Sequence, residues 1–423
     1  MKRRLPIVLL LTMLLATACQ KGSPTRAVQV QAQPDSVPEI ITIDIGAPAK
    51  GVPILDQLIT AFEARYAQYR VRKVEPPPVG PNYPAELDKR LKAGEYDLFP
   101  VLSDDRPIWA SLDPYLDRSR PAMDRVAKAA ESLRQGGTVY RLPILLEPEC
   151  FLVNRGMWEA AGLTLPAQGW DWDAFRSAAA KLTSGQDTAR VWGSGVNIPE
   201  YLFSVWLMQK TGEEFWLADE QDLREGLQFF TTMVQTDRSL PEPQPRDWGN
   251  GTSLSPYATL FYEEKAAIGY GTFLPLVQMQ QWVKFPWDVL PVPTRAGGKP
   301  VMRVTPYSYA ISSASPDKDA AWAFLQFAVG PEGAAIVAAN GAVPTDGSAV
   351  TQDAWKGIQP APPAGMAYLL KTPWVIDAMN GGSADERMIH ELYRLTNLSL
   401  RGEIAPDTAV TQYLEFRQKR VAN

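Results

Sequence analysis

The most constraining feature of this sequence is an alternation of strand-like and helix-like runs between residues 40 and 102. IITIDI (40–45) is a β-branched apolar run bounded by GAPAKG, and beyond it Leu55, Leu58, Phe62, Tyr66 and Tyr69 recur at spacings of three and four, one helical face. RVRKVEP then predicts a second strand, AELDKRLKAG a second helix and YDLFPVL a third strand. A βαβαβ order of this kind predicts an α/β fold, an open parallel sheet with helices on its faces. Ligands in such sheets collect outside the carboxyl ends of the strands, so binding groups are sought in the segment immediately after each strand.

Farther along, GGTVYRLPILLEPECFLVN (136–154) reads as two apolar strands separated by Glu147, Pro148 and Glu149. Trp172, Phe175, Ala179 and Leu182 predict a helix that Asp171 can cap. VTPYSYAIS predicts a strand, and ASPDKDAAWAFLQFAVGPEG a helix with Ser315 at its cap and Gly330 at its stop. The proline-rich stretches at 75–84 and 360–363 read as rigid loops, and no internal repeat suggests a solenoid or propeller.

The amino terminus has a different logic. Lys2, Arg3 and Arg4 precede an apolar run too short to span a bilayer, and small residues lead to Cys19. Leu15 to Cys19 resemble a bacterial lipoprotein signal, which implies cleavage of residues 1–18, acylation of Cys19 and extracytoplasmic attachment to the bacterial cell membrane. Residues 19–38 read as a flexible polar tether. Losing three positive charges with the leader would take the net charge from −5 to −8. No basic cluster remains, which argues against nucleic acid as a partner. With Cys19 lipidated, Cys150 has no partner for a disulfide. A single histidine, His390, weighs against hydrolytic triads and zinc sites, and no motif calls for a metal, nucleotide or other cofactor.

In order along the chain, LKAGEYDL, GGTVYRLP, FLVNRGMWEAAGL, GWDWDAFRSAAAKLT, FYEEKAAIGYGTF, WDVLPVPTRAGGKP and AISSASPDKDAAWAFLQFAVGPEGAAIVAANGAVPT resemble the extracellular solute-binding proteins of family 1. The resemblance spans roughly residues 39–420. It implies a type II periplasmic-binding-protein-like fold, two α/β lobes joined by a hinge with a solute cleft between them. Residues 39–145 plus about 295–345 would form one lobe, and 146–294 plus about 346–423 the other. It also implies a monomer that hands a sugar or oligosaccharide to the permease subunits and ATPase of an ABC importer.

The family's solute contacts carry over to particular positions. Glu147, four residues after Pro143, matches a carboxylate that reaches solute from the lobe crossover. Glu200 and Tyr201 match an acid followed by an aromatic, and Phe273 stands where sugar-binding members often carry Trp. Asp104, Asp105 and Arg106 come after the third strand, where an Asp-Arg pair contacts sugar, and Lys50 comes after the first. Tyr307 and Tyr309 flank a strand near the hinge and are expected on opposite sides of it, one facing the cleft. Trp206 and Trp248 are assigned to core or rim.

Two other classes compete. SPDK at Ser315–Lys318 and KTG at Lys210–Gly212 match signatures of penicillin-recognising serine enzymes, but their order is reversed and no S-D-N element lies between. Glu147 with Glu149 could serve a secreted carbohydrate-active hydrolase, which needs two carboxyls ~5 to 9 Å apart. A lipoprotein that only recognises a partner is the third class; the transporter reading, with no catalysis, is preferred.

Overall fold

The computed structural model describes residues 40–49, 53–101, 108–119, 123–166, 169–196, 198–212, 214–243, 256–272, 279, 282–345, 349–358, 363–366, 374–376 and 386–421. The strand Ile41–Gly46 pairs in parallel with Tyr69–Val74 on one edge and with Leu98–Val101 on the other. Between the first two strands, the helix Pro53–Arg65 buries Ile54, Leu55, Leu58 and Phe62. The helical face expected to run on to Tyr69 stops earlier. The helix ends at Arg65 and Tyr69 opens the next strand, yet the Tyr66 and Tyr69 rings still meet Phe62, with centroids 5.1 and 5.5 Å away. Apolar spacing reported the burial correctly and the backbone incorrectly, because a turn can return a ring to the same core.

The large sheet runs in the order 69–74, 41–46, 98–101, 302–311, 141–154, 266–272, 192–195. Its first three strands are parallel, as the alternation predicts. The strand Met302–Ile311 runs antiparallel to both Leu98–Val101 and Arg141–Asn154, so the sheet is mixed.

Glu147, Pro148 and Glu149 do not separate two strands. Arg141–Asn154 is one crossover strand of 14 residues that changes partners at Pro148. Up to Pro148 it pairs with the return strand Met302–Ile311, and from Glu149 onward with Ala266–Thr272 and Trp287–Leu290. Proline cannot donate to a ladder, and here it sits where one ladder ends and another begins.

The change of partner divides the molecule into two lobes. One core gathers Ile43, Leu58, Phe62, Leu98, Leu142, Tyr309 and Phe324. The other gathers Phe151, Trp172, Phe203, Trp206, Phe230, Ile268 and Tyr413. A smaller cluster backs the junction itself, where Leu146, Cys150 and Leu152 meet Met302, Val304, Val343 and Trp355. Cys150 is free and fully buried there, and burial pushes its thiol up.

Caps show where local signals held. Asp171 starts the helix Trp172–Leu182, its side chain accepting from the Ala174 amide at 2.7 Å. Ser315 does not cap the helix expected after it. That helix begins at Lys318, and the buried Ser315 hydroxyl donates to Asp97 Oδ1 at 2.6 Å while accepting from the Asp317 amide. The polar group of Asp97, itself buried, needed that donor.

Candidate functional site

Directly opposed residues of an antiparallel pair project on the same face, and faces alternate along each strand. Leu145 lies opposite Tyr307 and Glu147 opposite Thr305, so Leu145, Glu147 and Glu149 share a face with Tyr307, Thr305 and Arg303. This face lies where the crossover strand passes from one lobe to the other.

Glu147 is half-buried, and its carboxyl makes no hydrogen bond or ion pair among the described residues. Burial pushes its carboxyl up to about 7. The Tyr307 hydroxyl is raised above the usual phenol range by its own burial, against an opposing hydrogen bond with Tyr309 and with a smaller push from the charge of Glu147. The pair therefore presents a half-buried carboxyl without the counter-charge that burial normally demands, beside a half-buried phenol that interacts with the Tyr309 hydroxyl.

Tyr309 corrects an expectation. Residues two apart on a strand share a face, so Tyr307 and Tyr309 could not be assigned to opposite sides by alternation. Their ring centroids lie 5.9 Å apart, edge to face, beside a register shift between Tyr307 and Ser308. Tyr309 is 0% exposed and belongs to the first lobe's core. It backs Tyr307 and has no surface to offer a solute.

Glu149 has the opposite environment to Glu147. It is 2% exposed, and its Oε1 accepts from Arg303 Nη2 at 2.8 Å while its Oε2 accepts from the Tyr270 hydroxyl at 3.1 Å. Arg303, equally buried, also donates from Nη1 to the Glu200 carbonyl at 2.8 Å and to Ser204 Oγ at 2.9 Å. Glu200 and Tyr201 lie in a π-helical turn, Ile198–Phe203, a geometry that recurs at functional sites. The Tyr201 ring lies 5.3 Å from the Arg303 guanidinium carbon and 5.5 Å from the Tyr270 ring. One guanidinium thus ties the crossover strand to the turn that carries both Glu200 and Tyr201.

Of the residues singled out in the sequence, Glu147 and Tyr307 share the junction face, and Glu200 and Tyr201 join it through Arg303. Lys50, Asp104, Asp105, Arg106, Phe273, Trp248 and Cys19 lie outside the described residues. Trp206 is core, its ring 5.0 Å from Phe229 and 5.4 Å from Trp172. Sequence reasoning misses Tyr270 and Arg303, and reaches Glu149 only as a partner of Glu147 in hydrolysis. A signal existed: an arginine inside the apolar strand VMRVTPYSYAI must find a buried anion, and Glu149 falls two residues from Glu147 in an equally apolar run.

The serine-enzyme motifs have structural employment. Ser315 is buried on Asp97, and Lys210 pairs with Asp222 at 2.7 Å, with Arg295 on the same carboxylate oxygen at 2.9 Å. Among the described residues no cluster of three or more His, Cys, Asp or Glu could hold a metal ion.

A mixed sheet whose central strands cross between two α/β lobes is the type II architecture of periplasmic binding proteins. The chain belongs to the bacterial extracellular solute-binding proteins, whose family model matches residues 49–335. A curated relative, an uncharacterized lipoprotein encoded in the oleD 5′ region of Streptomyces antibioticus, is 25% identical over 359 residues, covering 78% of this chain and 73% of that protein. Among solved structures, a sugar transporter from Rhizobium etli in an open conformation matches with a TM-score of 0.72 at 18% identity, over 89% of this chain and 98% of that one. An ABC substrate-binding protein from Listeria monocytogenes in complex with cycloalternan matches with a TM-score of 0.68 at 18% identity, over 91% and 99%.

Proposed function

We propose that this protein is the solute receptor of an ABC importer. It captures a sugar or oligosaccharide between its two lobes and releases it chemically unchanged to the permease. In this reading acylated Cys19 holds the receptor on the outer side of the cell membrane, and residues 19–38 give it reach. The lobe division at 145 is supported by the two cores, the first including Leu145 and the second starting at Phe151. Val292 and Val301 pack in the second core, which favours a return to the first lobe near residue 302 rather than 295.

The observation that carries the reading is Glu147. A carboxyl with no ion pair among the described residues, half-buried at the crossing between lobes and flanked by Tyr307, suits a ligand rich in hydroxyl donors. Tyr201 adds an aromatic face of the kind that packs against sugar C–H surfaces. Members of this fold that bind sugar or cycloalternan support the same ligand class.

The test is a thermal-shift screen of the mature domain against mono- and oligosaccharides, with amino acids and short peptides as the contrast. A sugar at 100 times its dissociation constant should stabilise the protein by ~2.7 kcal/mol and be recovered intact by mass spectrometry. Stabilisation by amino acids or peptides alone would redirect the solute class, and recovery of a cleaved sugar would replace the receptor reading with the hydrolase.

A further inference from the structure

We propose that Arg303 is a positioning residue for solute capture, setting the Glu200–Tyr201 turn against the crossover strand that carries Glu147. The inference deepens the receptor reading and rests on it in one respect, the assignment of Glu147, Glu200 and Tyr201 to the solute.

A π-helical turn bonds residues five apart and is rare, occurring mostly as a single turn, so side chains that engage its carbonyls can hold it in place. The Glu200 carbonyl accepts from Arg303 Nη1 at 2.8 Å, from Ser204 Oγ at 2.7 Å and from the Tyr393 hydroxyl at 3.4 Å. Ser204 Oγ in turn accepts from the same Nη1 at 2.9 Å. Three elements therefore converge on one carbonyl, and the only charged donor among these comes from the return strand.

The other half of the guanidinium looks the opposite way. Nη2 donates to Glu149 Oε1, and Glu149 Oε2 receives the Tyr270 hydroxyl. Tyr270 then packs its ring against Tyr201. Glu149 and Glu147 occupy the same face of a pleated strand two residues apart, so whatever fixes Glu149 fixes the backbone that aims Glu147. The loop of contacts from Glu149 through Arg303 to Glu200 and Tyr201, and back through Tyr270, closes on itself.

Charge alone would not require this. A lysine would neutralise Glu149 but, as a point charge, could not serve the Glu200 carbonyl, Ser204 and the carboxylate from fixed directions; the planar fork of arginine can. The specific consequence is that Arg303 governs the direction of three side chains, Glu147, Glu200 and Tyr201, without itself meeting the solute.

The experiment compares the wild-type domain with R303K, R303M and the paired variant R303M with E149M, using maltotriose and D-tagatose as probes. Amide hydrogen exchange on the unliganded proteins is the second readout. The paired variant removes both buried charges, so it keeps a folded core should R303M alone not fold. The expected result is that R303K and the paired variant melt close to wild type. Both should bind whichever probe the wild type takes at least tenfold more weakly, with exchange at residues 198–204 at least tenfold faster. Unchanged affinity and exchange in R303K would overturn the proposal, and so would faster exchange spread evenly over the second lobe, which marks a merely structural role. If the wild type binds neither probe, the sugar assignment suffers separately, and the exchange arm still decides whether Arg303 holds the turn.

Discussion

Glu147 and Glu149 sit two residues apart on one face of one strand, and the molecule treats them in opposite ways. Glu149 is sealed among Arg303, Tyr270 and the π-turn, with both oxygens engaged. The Glu147 carboxyl has neither hydrogen bond nor ion pair among the described residues, and burial raises it to about 7. The difference arises at Pro148, where the crossover strand leaves the first lobe's ladder and enters the second's. A buried carboxylate inside a lobe must carry its own counter-ion, whereas under the proposed function one at the crossing between lobes would be left for the solute to satisfy.

The comparison can be broken most severely from the paired side. Glu149→Ala should strand the Arg303 charge and cost about 3–5 kcal/mol, read by urea denaturation, whereas removing both charges together should cost far less. A comparable loss in both variants would mean that the pair matters through packing rather than charge.

On the unpaired side the sign reverses. The folded carboxyl of Glu147 holds its proton up to about pH 7, above the ordinary glutamate value of 4.5. Its contribution to stability is therefore complete below about pH 4 and is lost as pH rises toward 7. Glu147→Gln removes that loss. The unliganded variant should exceed wild type by on the order of 2–3 kcal/mol at pH 8 and match it at pH 4, by denaturation at the two pH values. A variant less stable at pH 8 would show that Glu147 has a cation partner.

Solute binding should respond differently. Glu147→Ala is expected to lose about 1.5–3 kcal/mol of sugar affinity, roughly ten- to hundredfold, by titration calorimetry. Tyr307→Phe, which deletes one hydroxyl and keeps the ring against Tyr309, should lose only about 0.5–1.5 kcal/mol. Equal losses from the two changes would move the principal polar contact from the carboxyl to the phenol. The smallest effect is expected on the back of the junction, where Lys128 Nζ lies 3.9 Å from the centre of the Trp374 ring. Lys128→Met should lower stability by about 0.5–1 kcal/mol and leave affinity unchanged.

Much of the fold was legible because its signals are local. The spacing of Leu55, Leu58 and Phe62, the Asp171 cap and the β-branched run at 41–45 each report a short-range preference that the tertiary structure respected. Glu147 was singled out through its place four residues after Pro143 in a run that resembles the family, and the structure sets it on the strand that crosses between the lobes. The errors share a cause. Local signals assign Ser315 to a helix cap, but a distant carboxylate, Asp97, claims its hydroxyl. Glu147, Pro148 and Glu149 look like a break because a strand served by two different ladders has no signature in its own residues.

By itself, then, the sequence determined the α/β class, the apolar stripes that become two cores, and the family whose order of motifs it shares. Those depend on periodicity and on neighbours close along the chain. Tertiary structure alone decided which of two nearly adjacent glutamates is neutralised, and that Arg303, 154 residues from Glu149, is the neutralising group. A buried charge is stabilised by whatever lies within a few ångströms, and separation along the chain says nothing about that distance.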